Sequence, residues 1–541
     1  MAGGLIVYLL NIIMFNYVAL LIKTFMTQID ISSLIKQMQQ SDFYPHETVA
    51  PIELVQTHIS LVFLTGDYAY KLKKAVNFGF LDFSTLEKRQ HFLQEEIRLN
   101  EEIAPELYLE VLPITLSGDK YTLGGEGEAV EYVLKMRQFP QENLFINLFT
   151  AGKLEIEQME ELGRITARFH EIAETNDYIR SFGTVAKIRE AVDENYQQTE
   201  KYIPKVQTQQ QFDETKAYTD KFFAQKEALF QARINAHKIK ECHGDLHLKN
   251  ICLWRNKIQL FDRIEFNEPF RFVDVMYDVA FAVMDLEARN RQDFANAFLN
   301  TYLEQTGDWL GLQLLHLYLS RQAYVRAKVT SFLLDDAGVP DKVKQEAAGT
   351  AADYYKQAWA YTQNKEGKII LMSGLSGAGK TTVAKQIARK INAIHIRSDA
   401  VRKHLAGIPL EATGGDAIYS ESMNHKTYDR MLELGIILAN IGFPVILDAK
   451  YDRVALRQKA IETAKSNNIP LNIVNCTAPI EVLRDRLNKR SGDISDATAN
   501  LLSSQQANAE DFTPDEKAYV TTIDTSKTDW QENLVTFSLI N

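Results

Sequence analysis

A glycine-rich run at residues 374–382, with the sequence GLSGAGKTT, constrains the fold of this chain more than any other feature. It follows the apolar run IILM and precedes VAKQIARKI, whose apolar spacing is typical of a helix. The pattern G-x-x-x-x-G-K-[ST] between a strand and a helix is typical of a loop whose backbone N–H groups hold phosphates. The start of the helix adds its positive dipole end. The sequence therefore predicts a site for a nucleoside triphosphate.

Two side chains of this loop have expected roles of their own. Lys380 can reach the β- and γ-phosphates, and the Thr381 hydroxyl can ligate Mg²⁺. We therefore expect ATP and Mg²⁺ as cofactors. The residues predicted to contact ATP here are Gly374, Ser376, Gly377, Ala378, Gly379, Lys380, Thr381 and Thr382.

Composition limits the number of domains and the partners. A chain of 541 residues predicts two or three domains. The net charge of −11 disfavours a large polyanionic partner such as duplex DNA. The three cysteines show no pairing or zinc-binding pattern, which indicates a reducing compartment, and we expect a cytoplasmic protein.

The first 26 residues form an apolar extension. Residues 4–22 are uncharged and long enough to span a bilayer, but they lack the features of a signal peptide. We favour the alternative that translation begins at Met26, because Asn11 and Asn16 are costly in lipid. A stable membrane partner is expected only if residues 4–22 are an anchor.

A second group of residues for phosphoryl transfer lies in HGDLHLKN, at residues 243–250. Asp245 and Asn250 have the spacing of a protein-kinase catalytic loop. The following ICLWRNKIQLFD predicts a hairpin whose second strand ends at Asp262. In such chemistry one carboxylate accepts the proton of the acceptor hydroxyl, while an amide and a second carboxylate hold Mg²⁺. His243 is expected to support the loop.

These residues resemble the aminoglycoside phosphotransferase family, a kinase-like fold for small hydroxylated substrates. HGDLHLKN and LFDRIEFNEPFRFVDVMYDVAF carry the resemblance, which covers about residues 48–326. It implies that Asp245 is the catalytic base and that Asn250 and Asp262 are metal ligands. Asp278 is expected to face the catalytic loop from a helix.

The amino-terminal part supplies candidates for a second ATP site. A kinase-like site needs a strand lysine on the phosphates, held by a helix glutamate. LVFLTGDYAYKLKK predicts two strands around a Thr-Gly-Asp turn, with Lys71 and Lys73 on one face of the second strand. The next predicted helix, with Ser84 as its N-cap, carries Glu95 and Glu96. The resemblance favours Lys71 and Glu96 as the ATP-binding pair.

Residues after the glycine-rich loop are candidates for acceptor binding. HIRSDAVRKHL places Asp399 at a strand end with Arg402 nearby, as small P-loop kinases hold an acceptor hydroxyl and its anionic group. The alternative is an N-cap aspartate with an exposed arginine. Asp448 ends the strand FPVILDA, where a carboxylate near Mg²⁺ is expected. A basic run that includes Arg486 and Arg490 predicts a lid over phosphates or a solvated helix face.

This module resembles AAA-type P-loop kinases, a group that includes gluconate kinase-like and polynucleotide 5′-kinase-like proteins. GLSGAGKTT, RSDAVRKHLAG, VILDAKYDR and RLNKRSGDISDA carry the resemblance over about residues 368–541. Lys450 and Tyr451 stand where a threonine and a phenylalanine often follow Asp-Ala in the family. That departure leaves the acceptor open.

The sequence thus predicts a bilobal, protein-kinase-like α+β domain at residues 27–365 and an α/β P-loop domain with a parallel sheet at 366–541. The expected function is an ATP-dependent, bifunctional phosphotransferase acting on a small hydroxylated molecule such as a sugar or sugar acid. The alternatives are a polynucleotide 5′-hydroxyl kinase and a non-catalytic ATP-binding regulator.

Overall fold

The structure, a computed structural model, describes residues 30–336, 338–489, 492 and 494–531. The predicted apolar extension at 1–26 and the lid candidate Arg490 lie outside these residues. None of the described helices combines the length and the apolar composition that a membrane crossing needs.

The described chain alternates between a strand-rich start, a long helical stretch and a second region of strands and helices. The strands are β1 (Glu53–Gln56), β2 (Ser60–Leu64), β3 (Tyr68–Lys73), β4 (Tyr108–Ser117), β5 (Lys120–Leu123), β6 (Ala129–Arg137), β7 (Ile239–Glu241), β8 (Ile251–Trp254), β9 (Lys257–Leu260), β10 (Phe272–Asp274), β11 (Lys368–Ser373), β12 (Ile394–Arg397), β13 (Pro444–Asp448), β14 (Leu471–Thr477) and β15 (Val520–Asp524).

The helices are α1 (Ile31–Met38), α2 (Leu86–Glu101), α3 (Phe145–Thr150), α4 (Ile156–Ile172), α5 (Asp177–Ser181), α6 (Val185–Thr199), α7 (Gln209–Gln225), α8 (Glu227–Asn235), α9 (Glu268–Arg271), α10 (Val275–Glu287), α11 (Gln292–Thr306), α12 (Leu315–Phe332), α13 (Asp341–Thr362), α14 (Lys380–Ile391), α15 (Ser398–Ala406), α16 (Glu421–Asn440), α17 (Val454–Ser466), α18 (Ile480–Lys489) and α19 (Leu502–Asn508).

The amino-terminal sheet has six antiparallel strands in the order β1-β2-β3-β6-β4-β5. The predicted hairpin is confirmed, because β2 pairs with β3 in the register Leu64↔Ala69. Helix α2 packs against β4 and β6. Its predicted N-cap is wrong by one residue: the Thr85 hydroxyl accepts from the backbone N–H of Lys88, whereas Ser84 donates to Asp82. A helical region follows, with the β8–β9 hairpin predicted from the sequence.

The second sheet has five parallel strands in the order β12-β13-β11-β14-β15. Three of its strands match the predicted segments IHIRSD, FPVILDA and LNIVNC, whereas β15 was not predicted. The core on one side of this sheet includes Ile370, Ile446 and Val474, packed against Val383 and Ile387 of α14. The predicted fold class, a protein-kinase-like α+β domain and an α/β P-loop domain, is confirmed.

Contacts group the chain into two compact units whose segments alternate in sequence. Of the described residues, unit 1 contains 30–154, Ile172–Asp285 and Leu317–Thr362, and unit 2 contains Glu155–Glu171, Leu286–His316 and those from Gln363 onward. One break therefore falls close to the predicted boundary at 365. Unit 2 additionally includes most of α4 and all of α11, which the sequence assigned to the kinase-like domain.

Candidate functional site

An ion-pair network joins the strand lysines to the predicted metal ligand in unit 1. Lys71 Nζ lies 2.6 Å from Glu96 Oε1 and 2.6 Å from Asp262 Oδ1. Glu96 is fully buried in α2, whereas the Asp262 side chain is 41% exposed. The structure thus brings together a lysine, a helix glutamate and a carboxylate from three separate segments. Glu95 instead pairs with Arg98 on the exposed side of the helix.

Lys73 also contacts Glu96, but its second carboxylate partner is Glu265 rather than Asp262. Its Nζ is 2.8 Å from Glu96 Oε2 and forms a short contact with Glu265 Oε1, and its side chain is fully buried. Burial raises the pKa of Glu96, but the ammonium groups of Lys71 and Lys73 outweigh it and hold that pKa well below the usual range. The glutamate is therefore ionised and shared between the two lysines.

Asp245 lies in the loop between β7 and β8. Its Oδ2 accepts from Asn250 Nδ2 at 3.1 Å and lies 3.3 Å from His247 Nε2. Burial raises the pKa of Asp245, but the neighbouring His247 and then Arg326 hold it below its ordinary value. The carboxylate is therefore ionised at neutral pH. The Asn250 amide nitrogen donates its hydrogen bond to Asp245. The Asn250 amide oxygen is therefore the atom that would face a cation.

Helix α10 supports this loop through Asp278. Its two carboxylate oxygens accept from the backbone N–H groups of His243 at 3.0 Å and Gly244 at 2.8 Å, as predicted. His243 is buried, and its Nε2 lies 2.9 Å from the Phe261 carbonyl, which agrees with a supporting role. Asp262 follows with a positive φ of 65°, and its N–H donates to the Tyr108 hydroxyl.

The glycine-rich loop in unit 2 has the backbone that its composition predicts. Gly374 has a φ of +132°, and a Cβ at this position would lie 2.3 Å from the Cys476 carbonyl oxygen. Gly377 and Gly379 also have positive φ values, of 81° and 80°. Lys380 Nζ donates to the carbonyls of Gly374 and Leu375, both at 2.9 Å. Burial lowers the pKa of Lys380.

The other predicted loop residues also lie in or beside this turn. The Ser376 N–H donates to Gln505 Oε1 at 3.1 Å, and the buried Ala378 offers its carbonyl to the Thr525 hydroxyl. Thr382 lies in the first turn of α14.

The side-chain oxygens of Thr381, at the start of α14, and Asp448, at the end of β13, lie next to each other and are possible metal ligands. Thr381 Oγ1 donates to Asp448 Oδ2 at 2.8 Å, and His395 Nε2 lies 3.0 Å from the same oxygen. Burial raises the pKa of Asp448, yet the hydrogen bond and charge of His395 outweigh it and lower the pKa. An ionised carboxylate beside a hydroxyl is a donor set that suits Mg²⁺. These residues fit the predicted metal.

The acceptor and lid candidates have distinct surroundings. Burial raises the pKa of Asp399, which lies near Arg397 and Arg402. Arg402 is buried rather than exposed: Nη1 donates to Asn424 Oδ1 at 2.7 Å, the guanidinium lies over the Tyr419 ring, and Nε has no hydrogen-bond partner among the described residues. Arg486 Nη1 contacts the Gly377 carbonyl at 3.3 Å, so it lies beside the glycine-rich loop.

Three residues of these sites were not found by sequence reasoning. Glu265 binds Lys73, His395 binds Asp448, and Gln505 binds the glycine-rich loop. His395 lies on a predicted strand, two positions before Arg397, so strand alternation could have placed it on the face of Arg397. Glu265 and Gln505 reach their partners through long-range packing, for which the sequence contains no local signal.

Comparison with known proteins agrees with the carboxy-terminal fold. Residues 369–512 match the family described as AAA domain, so the predicted AAA-type P-loop domain is confirmed. An uncharacterized protein of Mycobacterium tuberculosis (strain ATCC 25618 / H37Rv) is 29% identical over 475 residues, which are 87% of this chain and 93% of that protein.

Solved structures similar to each part include two kinases. The GDP complex of aminoglycoside 2′-phosphotransferase-IIIa is 11% identical with a TM-score of 0.39, covering 60% of this chain and 98% of that one. A gluconokinase from Sinorhizobium meliloti 1021 is 22% identical with a TM-score of 0.24, covering 33% of this chain and 96% of that one.

Proposed function

We propose that this chain is an ATP-dependent phosphotransferase with two nucleotide sites, each of which phosphorylates a hydroxyl group of a small molecule. The observation that carries the proposal is the Lys71 ammonium, which contacts both Glu96 and Asp262 at 2.6 Å. A lysine fixed between a helix glutamate and a metal-binding carboxylate is the arrangement that phosphoryl transfer of the kinase type requires.

In the unit 1 site, Asp245 would accept the proton of the acceptor hydroxyl. The hydroxyl oxygen forms a bond to the γ-phosphorus, and the bond from that phosphorus to the β–γ bridging oxygen breaks, leaving ADP and a phosphate ester. Asn250 and Asp262 would hold Mg²⁺. When bound, this ion neutralises charge on the phosphates. Lys71 would orient the α- and β-phosphates, since positioning and electrostatics supply most of the catalysis.

In the unit 2 site, Lys380 and the backbone of the glycine-rich loop would bind the phosphates of ATP. Thr381 and Asp448 would hold Mg²⁺, and Asp399 would bind the acceptor hydroxyl and accept its proton as the catalytic base. Arg402 is proposed as the partner of an anionic group, and its unpartnered, buried Nε supports this role. The contact of Arg486 with Gly377 supports a place for it beside the phosphates.

The basic groups around Asp245 disfavour a polycationic acceptor. His247 and Arg326 are the basic groups that act most strongly on this carboxylate. A polycation such as an aminoglycoside would be repelled by both side chains, whereas a neutral sugar would not. The three cysteines are free and buried, which supports a reducing, cytoplasmic location.

Phosphoryl transfer from γ-labelled ATP tests the proposal. The acceptor panel contains sugars, sugar acids, aminoglycosides, nucleosides and 5′-hydroxyl oligonucleotides, tested with wild type, Asp245→Asn and Lys380→Ala. Transfer lost only in Asp245→Asn assigns that acceptor to unit 1, and transfer lost only in Lys380→Ala assigns it to unit 2. Labelling of oligonucleotides alone would instead support a polynucleotide kinase. ATP binding without labelling of any acceptor would support a regulator and contradict the proposal.

A further inference from the structure

Strand β12 is an edge of the parallel sheet, and a side chain of α11 covers its outer backbone. Among the described strands, β12 pairs only with β13. An edge strand leaves a row of N–H and C=O groups without ladder partners. The Asn300 carboxamide accepts from the His395 N–H at 2.7 Å and donates to the Ala393 carbonyl at 3.0 Å. Asn300 therefore bonds to this edge as a peptide group of a neighbouring strand would.

Asn300 belongs to a row of polar residues on one face of α11. Asn296, Asn300 and Glu304 are spaced four apart, so they lie above one another on the helix. Asn296 donates to the Ala393 carbonyl at 2.9 Å, and Glu304 lies 3.4 Å from Arg397. The row thus follows β12 from the residue before it to its last residue.

Beyond β12, the contacts continue to the proposed cation site. The backbone of His395 is held by Asn300, and its imidazole Nε2 lies 3.0 Å from Asp448 Oδ2. That same oxygen accepts from the Thr381 hydroxyl at 2.8 Å. His395 and Asp448 are nearly fully buried, so the position of the imidazole fixes one side of the carboxylate. Asn300, His395 and Asp448 are therefore connected by successive hydrogen bonds.

We propose that Asn300 is a positioning residue of the P-loop site, which sets the orientation of Asp448 toward Mg²⁺ through His395. The inference rests on the proposed function, in which Thr381 and Asp448 hold the ion. Under this proposal, a residue of α11 supports the P-loop nucleotide site, although the sequence predicted α11 to belong to the kinase-like domain. Residues that orient a metal ligand without touching the metal typically change metal affinity by about 10- to 100-fold when removed.

The test measures Mg²⁺ binding in the full-length chain without turnover. Thermal unfolding is followed with the β,γ-imido analogue of ATP over a range of Mg²⁺ concentrations. The part of the stabilisation that Lys380→Ala abolishes reports the P-loop site. Asn300→Ala should raise the Mg²⁺ midpoint of this stabilisation by about 10- to 100-fold. Stabilisation by the nucleotide analogue without Mg²⁺ should stay close to that of wild type.

Two matched variants separate positioning from a general effect on folding. Asn296→Asp removes the bond that Asn296 donates to the same Ala393 carbonyl, but it keeps the side-chain oxygen that accepts from Asn300 Nδ2 at 3.0 Å. Its Mg²⁺ midpoint should therefore stay at the wild-type value. Asn300→Asp keeps an acceptor for the His395 N–H and should restore most of the loss seen with alanine. Combining Asn300→Ala with His395→Ala should add little to the effect of His395→Ala alone, because both act on Asp448.

The outcomes distinguish the inference from the proposed function. If wild type shows no stabilisation that depends on both Mg²⁺ and Lys380, the proposed P-loop function fails, and the inference fails with it. If wild type responds but Asn300→Ala keeps the wild-type midpoint, the inference alone is overturned. An equal shift in Asn296→Asp would also overturn it, because the effect would then come from packing of α11. Should Asn300→Ala not fold, a wild-type midpoint in His395→Ala overturns the inference in the same way.

Discussion

Lys71 and Lys73 project from the same face of one strand, yet their surroundings give them different expected roles. The Lys71 side chain is 14% exposed and contacts Asp262, whereas Lys73 is fully buried between Glu96 and Glu265. We expect Lys71→Met to lower the rate of unit 1 phosphoryl transfer by about 100- to 1,000-fold, because it removes a fixed charge from the proposed phosphate site. Turnover measured in the Lys380→Ala background isolates this site.

Lys73→Met is the matched control, and it should affect stability instead. Removing its ammonium takes the lysine contact away from the buried Glu265 and leaves Glu96 paired with Lys71 alone. Breaking a buried ion pair in this way costs about 3–5 kcal/mol. The free energy of unfolding of unit 1, measured by urea denaturation, should fall by that amount in Lys73→Met and by less in Lys71→Met. The reverse order would show that Lys73 is the nucleotide lysine.

The unit 1 site, with Asp245 as its proposed base, and the P-loop site, with Asp399, should lose activity at different pH values. Burial raises both pKa values, but His247 and Arg326 bring that of Asp245 below its ordinary value, while that of Asp399 stays raised. A base works in its ionised form, so activity falls as pH drops to its pKa. As pH decreases, transfer by the P-loop site should therefore fail first. Profiles of kcat/KM for Lys380→Ala and Asp245→Asn separate the sites, and coincident acid limbs would contradict the assignment.

At the scale of elements, the glycine-rich loop depends on backbone conformations that an L side chain rarely adopts. In Gly374→Ala, the new Cβ would meet the Cys476 carbonyl at 2.3 Å, at a φ of +132°. The strained backbone alone costs about 1–3 kcal/mol, and relief of the contact must move β11 or β14. We expect lower stability of unit 2 and loss of ATP binding at this site, measured by calorimetry.

Gly349 provides the control for that substitution. It is exposed in the helix α13, and nothing lies within 4 Å of a Cβ built there. Gly349→Ala should therefore stabilise the chain by about 0.5–1 kcal/mol, since alanine suits a helix better than glycine. Equal behaviour of the two variants would mean that the loop tolerates a side chain at Gly374.

Local sequence patterns predicted the strand and the loop that contain the candidate site residues, but they did not predict which of these residues are buried. Alternation placed Lys71 and Lys73 together on β3, and the loop residues of 374–382 follow directly from glycine spacing. Neither pattern could show that Glu265 reaches Lys73 from 192 residues away, which makes Lys73 the buried member of the pair. Strand β15 was missed because VTTID is short and mostly polar, and it becomes a strand only beside β14.

At the scale of the whole molecule, the sequence predicted a single boundary, whereas the chain enters unit 2 three times. Local patterns could not show this, because α4 and α11 are amphipathic helices like their neighbours. Their partners become visible only in the fold: Glu160 of α4 pairs with Arg389 at 2.8 Å and with Lys385 at 3.1 Å, and α11 packs against α14 and β12. Unit 2 is therefore completed by segments that precede residue 365.

This organisation predicts the behaviour of a chain that is cut at its junction. Gln363 to Glu366 are exposed, so a protease site placed there should be cleaved in the folded protein. The fragment that begins near residue 366 should nevertheless remain bound to the rest of the chain, because residues 155–171 and 286–316 belong to its own unit. In size-exclusion chromatography after cleavage, we expect one peak with the mass of the intact chain, and dissociation only in denaturant. Two peaks under native conditions would show that residues 366–541 form a complete domain by themselves.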